Sequence, residues 1–254
     1  MPALTPPEGW RRWWRLPLLL LGILTAFPLG LIAAMGPVDR ATRLWSRLIA
    51  AVLGLRIRRV GPTPPTGGLL VSNHVGYLDI LVLNRTVPGR FLAKAEIAGW
   101  TLFGWIARRG GSVFIDRDNA RSSSGLLAPV VDALGRGCRV VLFPEGEVSS
   151  DGRALRVFRP MMFEACIAAG REVVPVALCY REPDDPRVWA WIDEASLWLH
   201  LWHRVLPCHH IAVEVRVGAP LRPLPGEDRK ALADRARRAV EQLLSPPGSE
   251  PGGC

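Results

Sequence analysis

The chain has 254 residues, 49% hydrophobic and 22% charged, which is enough for one substantial core and gives no reason to expect a second globular domain. Its net charge of +9 and pI of about 10.3 rest on 32 basic residues, of which only Lys94 and Lys230 are lysines; this suits anionic headgroups or phosphorylated substrates, and no RNA- or DNA-binding signature accompanies it. Five cysteines (138, 166, 179, 208 and 254), odd in number and scattered, argue against a disulfide framework or a metal site and read as buried or free thiols in a reducing compartment.

Arg11, Arg12 and Arg15, interleaved with Trp10, Trp13 and Trp14, lead into Leu16 to Val38, a run without a charge. At about 1.5 Å per residue a helix over this run covers the roughly 30 Å of a bilayer core, so it is read as a membrane segment. A cleaved signal peptide is the rival, but no small-x-small cleavage site follows the run. Three arginines precede it and Arg40, Arg43 and Arg47 follow it closely, leaving little asymmetry for a one-way orientation. Pro28, mid-segment, favours a kink, and a hairpin dipping into one leaflet competes with a span. From Arg40 to Leu53, Leu44, Trp45, Leu48, Ile49, Val52 and Leu53 recur at helical spacing, as expected of a helix at the membrane interface or of a core helix with a basic outer face.

After the Pro/Gly loop Gly61 to Gly68, short apolar runs alternate with helical patterns. Strands are expected at Leu69 to Val71, Phe91 to Ala93, Val113 to Ile115, Arg139 to Phe143, Val173 to Leu178 and Ile211 to Val217. Helices are expected through Leu126 to Leu134 and Met162 to Ala169, the latter stopped by Gly170. The alternation predicts an α/β domain whose mixed sheet is largely buried between helices. Val188 to Leu206, rich in Trp, reads either as core or as an apolar surface against lipid. Leu232, Ala236, Val240 and Leu243 mark a C-terminal helix. The expected organisation is an N-terminal membrane-embedded helical module over residues 1–60, the α/β domain over 61–245, and a disordered tail over 246–254.

The chemistry gathers in four stretches. In Ser72-Asn73-His74-Val75-Gly76-Tyr77-Leu78-Asp79 an imidazole in the turn before a helix can be met by a carboxylate one turn inside it. Such a pair takes a proton from a hydroxyl near neutral pH, with the carboxylate fixing the tautomer. No Gly-x-Ser-x-Gly supplies a protein nucleophile, so the activated hydroxyl can belong to the substrate. Gly111 to Arg117 ends in Asp116-Arg117, whose guanidinium fork matches phosphate. Phe143-Pro-Glu-Gly-Glu-Val-Ser149 follows a strand and offers a Gly for close backbone approach. In Val173-Val-Pro-Val-Ala177, Pro175 marks an edge or an irregularity beside a pocket. The competing structural readings are a hydrogen-bonded His near a helix start for the first stretch, and salt bridges or turns for the others.

In this order the four stretches resemble the glycerolipid acyltransferase family typified by 1-acylglycerol-3-phosphate acyltransferase, over about Leu69 to Ala177. The resemblance implies an acyltransferase fold in which His74 is the general base and Asp79 its orienting carboxylate. It implies an acceptor-headgroup site from Gly111, Arg117, Glu145, Gly146 and Pro175, with Lys94 near the phosphate. Glu147 and Val148 depart from the family, which often has Thr or Ser there, and Pro160 stands where Gly is usual. The implied activity is transfer of a fatty acyl group from a thioester, acyl-CoA or acyl carrier protein, to a lysolipid hydroxyl in membrane phospholipid biosynthesis, with no metal and no cofactor. The acceptor is 1-acylglycerol-3-phosphate or, better suited to Glu147, a lyso-ornithine lipid; a catalytically idle membrane-binding protein is the non-enzymatic alternative. Expected partners are the bilayer, the lysolipid and the acyl donor, without nucleic acid, at the cytoplasmic face of the cell membrane. Removing residues 1–53 is expected to spare part of the activity on detergent-dispersed substrate.

Overall fold

A computed structural model describes residues 9–35, 38–115, 123–146, 155–181 and 197–245. Helices α1 (Arg11–Leu24) and α2 (Ala26–Met35) follow one another with only Thr25 between them. Pro28 has no N–H to return to the Leu24 carbonyl, so the helical ladder breaks one turn upstream of the proline. Among the described residues one stretch, Arg11–Leu31, is by length and composition able to cross a membrane. Helix α3 (Val38–Val52) packs against both α1 and α2. The Trp45 indole N–H donates to the Gly22 carbonyl at 3.0 Å, and Gly22 leaves room for Ile49, whose Cδ1 would lie 2.7 Å from a Cβ there.

Gly54, at φ +74°, turns α3 into a strand that the sequence reading did not anticipate, β1 (Leu55–Val60). It pairs in parallel with β7 (Ile211–Val217), from Leu55 opposite Ile211 to Val60 opposite Arg216. The helical module therefore ends near residue 54, and residues 55–60 belong to the sheet. Arg56, Arg58 and Arg59 hid the strand, yet charged side chains are what a sheet edge needs to resist pairing with another chain.

The other strands are β2 (Gly68–Ser72), β3 (Arg90–Lys94), β4 (Val113–Ile115), β5 (Arg139–Leu142) and β6 (Val173–Tyr180). Their spatial order is β1-β7-β6-β2-β5-β3-β4, parallel at every step except the antiparallel β6–β7 pair. Strand β2, buried at every residue, faces helices on both sides, which is why it reads as an unbroken apolar run. On one face Leu70, Val174, Val176 and Val213 pack with Leu19, Ile49 and Leu53 of the N-terminal helices and with α4 (Leu78–Thr86). On the other, Leu69, Val71, Val140 and Ala177 pack with α7 (Ser123–Gly135), α8 (Met161–Ala168) and α10 (Arg229–Leu244). Asp228 caps α10 by accepting from the N–H groups of Lys230 and Ala231.

Short helices α5 (Ala95–Ala98) and α6 (Thr101–Arg109) join β3 to β4. Of the tryptophan-rich stretch, Val188 to Ser196 lies outside the described residues, as does the tail 246–254; Leu197–His200 forms α9 and Leu201–Val205 one π-helical turn. Trp202 takes the edge of Trp13 at 5.5 Å and the Arg12 guanidinium at 5.4 Å, so this segment packs on the start of α1.

Candidate active site

Strands β2, β3, β4, β5 and β6 point the same way, so the segments that follow them converge on one edge of the sheet, where ligands meet open α/β sheets. His74 lies on the loop after β2, and the first turn of α4 swings Asp79 back beneath it. His74 Nδ1 stands 2.8 Å from Asp79 Oδ2, which also accepts from the N–H groups of Val75 at 2.7 Å and Gly76 at 3.0 Å. The Tyr180 hydroxyl donates to the other oxygen, Oδ1, at 2.7 Å. Asp79 is fully buried and four donors converge on it, the arrangement an ionised carboxylate requires. A carboxylate only accepts, so Nδ1 carries the imidazole proton and Nε2 is left as the basic nitrogen.

The ring is held from below as well. Phe143 stacks under His74 with centroids 4.0 Å apart and planes 13° from parallel. The loop's backbone is fixed by Asn73, whose amide oxygen accepts from the Leu178 N–H at 2.8 Å and whose amide nitrogen donates to the Leu178 carbonyl at 3.1 Å. The His74 side chain remains 20% exposed, open enough to meet a substrate. Tyr77, whose hydroxyl lies 3.0 Å from His200 Nδ1, ties the same loop to α9, and burial pushes its pKa upward.

Glu145 plays a different part from the one the sequence suggests. It is buried, and its two oxygens accept the N–H of His74 at 3.0 Å and the N–H of Arg156 at 2.9 Å. Burial raises its pKa, and the two backbone bonds oppose that shift. Glu145 is thus a clamp that fixes the His74 backbone rather than a group presented to a headgroup. Gly146, whose φ of +81° favours glycine, lies under the exposed Arg159 guanidinium, 2.7 Å from where a Cβ would stand. Lys94, exposed at the end of β3, reaches the same edge. Arg159 and Tyr180 were not among the sequence-derived candidates. Their sole sequence signal is position, just beyond the third motif and at the end of β6.

Two candidates are not brought to this edge. Gly111 precedes β4 at the opposite end of the parallel strands, where its φ of +74° and missing Cβ make room for the Arg90 guanidinium. Pro175 sits inside the third strand from one edge, paired with Val71. It shares its face with Val173 and Ala177, and its ring packs beside Gly218. It does mark an irregularity, because the β6–β7 ladder begins only at Val176 and the Pro175 carbonyl accepts from the Gly218 N–H beyond β7. Arg117, Glu147 and Val148 lie outside the described residues.

The chain is similar to known acyltransferases. Residues 56–179 match the family model described as acyltransferase. The lyso-ornithine lipid O-acyltransferase of Pseudomonas aeruginosa is 35% identical over 207 residues, 81% of this chain and 79% of that one. The 1-acyl-sn-glycerol-3-phosphate acyltransferase of Neisseria gonorrhoeae is 32% identical over 200 residues, 78% and 77% of the two chains. The crystal structure of the 1-acyl-sn-glycerophosphate acyltransferase PlsC from Thermotoga maritima shares the fold, with a TM-score of 0.71 over 96% of this chain and 98% of that one at 15% identity.

Proposed function

The chain belongs to the glycerolipid acyltransferase family, and on that premise we propose that it transfers a fatty acyl group from an acyl thioester to the free hydroxyl of a lysolipid. The observation that carries this is the His74–Asp79 pair, oriented at the ligand-binding edge with no serine or cysteine nucleophile in hydrogen-bonding contact with it among the described residues. His74 Nε2 takes the proton of the acceptor hydroxyl as its oxygen attacks the thioester carbonyl. Asp79 stabilises the imidazolium that forms. Collapse of the tetrahedral adduct breaks the C–S bond, and the imidazolium proton goes to the leaving thiolate, so the base is restored and a free thiol departs.

The acceptor we favour is 1-acylglycerol-3-phosphate, with exposed Lys94 and Arg159, and Arg117 on sequence grounds, facing its phosphate. A lyso-ornithine lipid is the second candidate, because Glu147 suits a zwitterionic headgroup and such an enzyme is among the relatives. The donor is acyl-CoA or acyl carrier protein, which assigns the active edge to the cytoplasmic face of the cell membrane. The apolar stretch Arg11–Leu31 then serves as a hairpin element in one leaflet. The deciding experiment presents purified protein and a labelled acyl thioester with a panel of lysolipids read by mass spectrometry. A product from lysophosphatidic acid alone supports the first acceptor, one from lyso-ornithine lipid alone the second, and acyl transfer to neither refutes both.

A further inference from the structure

The opposite edge of the sheet carries a feature that acyl transfer does not use. Arg43 and Arg47 of α3, Arg59 of β1, Arg85 near the end of α4 and Arg139 at the start of β5 line one cavity of about 380 Å³. That is large beside the roughly 30 Å³ of one water. Arg139 begins the strand that Phe143 and Glu145 follow, so the length of β5 at about 3.3 Å per residue separates this cavity from the His74 edge.

Five like charges around one cavity repel one another unless an anion joins them. Among the described residues none of the five forms an ion pair, although Arg58, Arg181, Arg216, Arg222 and Arg235 elsewhere all do. Arg139 is built in rather than free to swing away. Its guanidinium donates to the carbonyls of Pro88 at 2.7 Å, Pro64 and Pro65, while its buried Nε has no partner. Burial lowers its pKa; Asp39 pulls the other way, and Arg43 adds to the lowering. A fixed guanidinium floor ringed by four further guanidinium groups is a donor set that phosphate takes bidentately.

We propose that this arginine cavity is a second anion site, distinct from the catalytic edge, which takes the phosphate of an anionic phospholipid headgroup. A lipid source is favoured over a soluble phosphate by the neighbouring surface. Leu44 and Leu48, 47% and 43% exposed, stand about 100° round α3 from Arg43 and Arg47, so acyl chains can lie along the helix while the headgroup enters the cavity.

The test compares full-length protein with two double variants of equal charge loss. R47Q/R85Q removes two lining arginines, neither of which makes a hydrogen bond or ion pair among the described residues; R40Q/R56Q removes exposed arginines of the same helix and strand region that do not line the cavity. Binding is measured on phosphatidylcholine vesicles with and without phosphatidylglycerol, and thermal protection is measured in detergent with inorganic phosphate. An arginine near an anionic surface contributes roughly fivefold, so R47Q/R85Q is expected to lose about 25-fold on the acidic vesicles and nothing on neutral ones, with R40Q/R56Q losing far less. If instead only phosphate protection is lost, the site stands and its ligand is a soluble phosphate. Equal losses in the two variants, or no loss of either readout in R47Q/R85Q, overturn the proposal. Should R47Q/R85Q melt below the parent, R43Q/R59Q replaces it.

Discussion

Asp79→Asn separates the two duties of this carboxylate, holding the loop and serving the base. Three N–H groups converge on Oδ2 and one hydroxyl on Oδ1, so the amide oxygen will settle at the Oδ2 position. The amide nitrogen then faces Tyr180, whose hydroxyl can rotate to accept. The Val75 and Gly76 N–H groups and the His74 ring keep their acceptor, and only the Tyr180 O–H and one amide N–H lose theirs. What is lost is charge: hydrogen bonds to a charged acceptor contribute about 1.5–3 kcal/mol and neutral ones about 0.5–1.5, so each of the four weakens by roughly 1 kcal/mol. Removing a fully buried charge offsets part of that, and a net stability loss of about 1–3 kcal/mol is expected. The rate should suffer more, because an imidazolium forming at His74 no longer faces an anion; a fall of about 10² to 10⁴ is the range for a lost general base.

Asp79→Ala provides the contrast. It leaves the Val75 and Gly76 N–H groups and the Tyr180 hydroxyl buried without a partner, at about 1–3 kcal/mol each, and should melt far lower than the amide variant. The measurements are a thermal melt and single-turnover acyl transfer on the same detergent-solubilised samples. An Asp79→Asn enzyme with near-parental turnover would refute the mechanism, reducing Asp79 to a loop clamp.

Removing the base itself, His74→Ala, should cost a similar 10² to 10⁴ in rate, while the melt reports the loss of one charge-assisted bond to Asp79, about 1.5–3 kcal/mol, and of the stacking on Phe143. Glu145→Gln deletes a titration whose folded pKa is raised by burial; that raised pKa favours the native protein below the ordinary glutamate range, a contribution lost as pH rises through the folded value. The melting temperature of the variant relative to the parent should therefore improve as pH is raised through that window, and a flat difference would contradict the burial argument. Cys166, fully buried, with its thiol donating to the Arg171 carbonyl and its pKa pushed up to about 12, should resist alkylation in the native protein and react only on unfolding.

Much of the α/β domain is legible in the sequence because its strands are buried runs bounded by turn residues. The His74–Asp79 pair is legible because both members fall within one loop and one helical turn. The remainder depends on contacts that spacing cannot encode. Tyr180 reaches Asp79 from a strand a hundred residues away, and Glu145 spends both oxygens on backbone N–H groups, which carry no residue identity. Gly111 and Gly146 look alike in sequence, each preceding a charged or polar residue, yet one makes room for Arg90 at the far edge and the other for Arg159 at the site. The strand β1 went unread because its edge position replaces the apolar alternation with arginines.

The same contacts revise the expectation that removing residues 1–53 spares part of the activity on detergent-dispersed substrate. Arg15, buried on α1, donates to the carbonyls of Leu206, Cys208 and His209, closing the turn that leads into β7. Leu19, Ile49 and Leu53 are buried in the core that holds Val213 and Val215. Each such side chain contributes about 1.5–3 kcal/mol, so these three alone give roughly 5–9 kcal/mol against a total stability of about 5–15 for an ordinary domain. Deletion of residues 1–53 should therefore abolish a cooperative melt in detergent, and activity on dispersed lysolipid with it. Arg15→Ala is the graded form: losing charge-assisted bonds to the 206–209 turn should lower the melting temperature without removing any membrane-facing apolar residue. A truncated chain that melts cooperatively and turns over dispersed substrate would show that the N-terminal helices are an appendage after all. A truncated chain that fails in detergent as well as on bilayers would show that the helices proposed to meet the membrane are also one wall of the core beneath the catalytic loop.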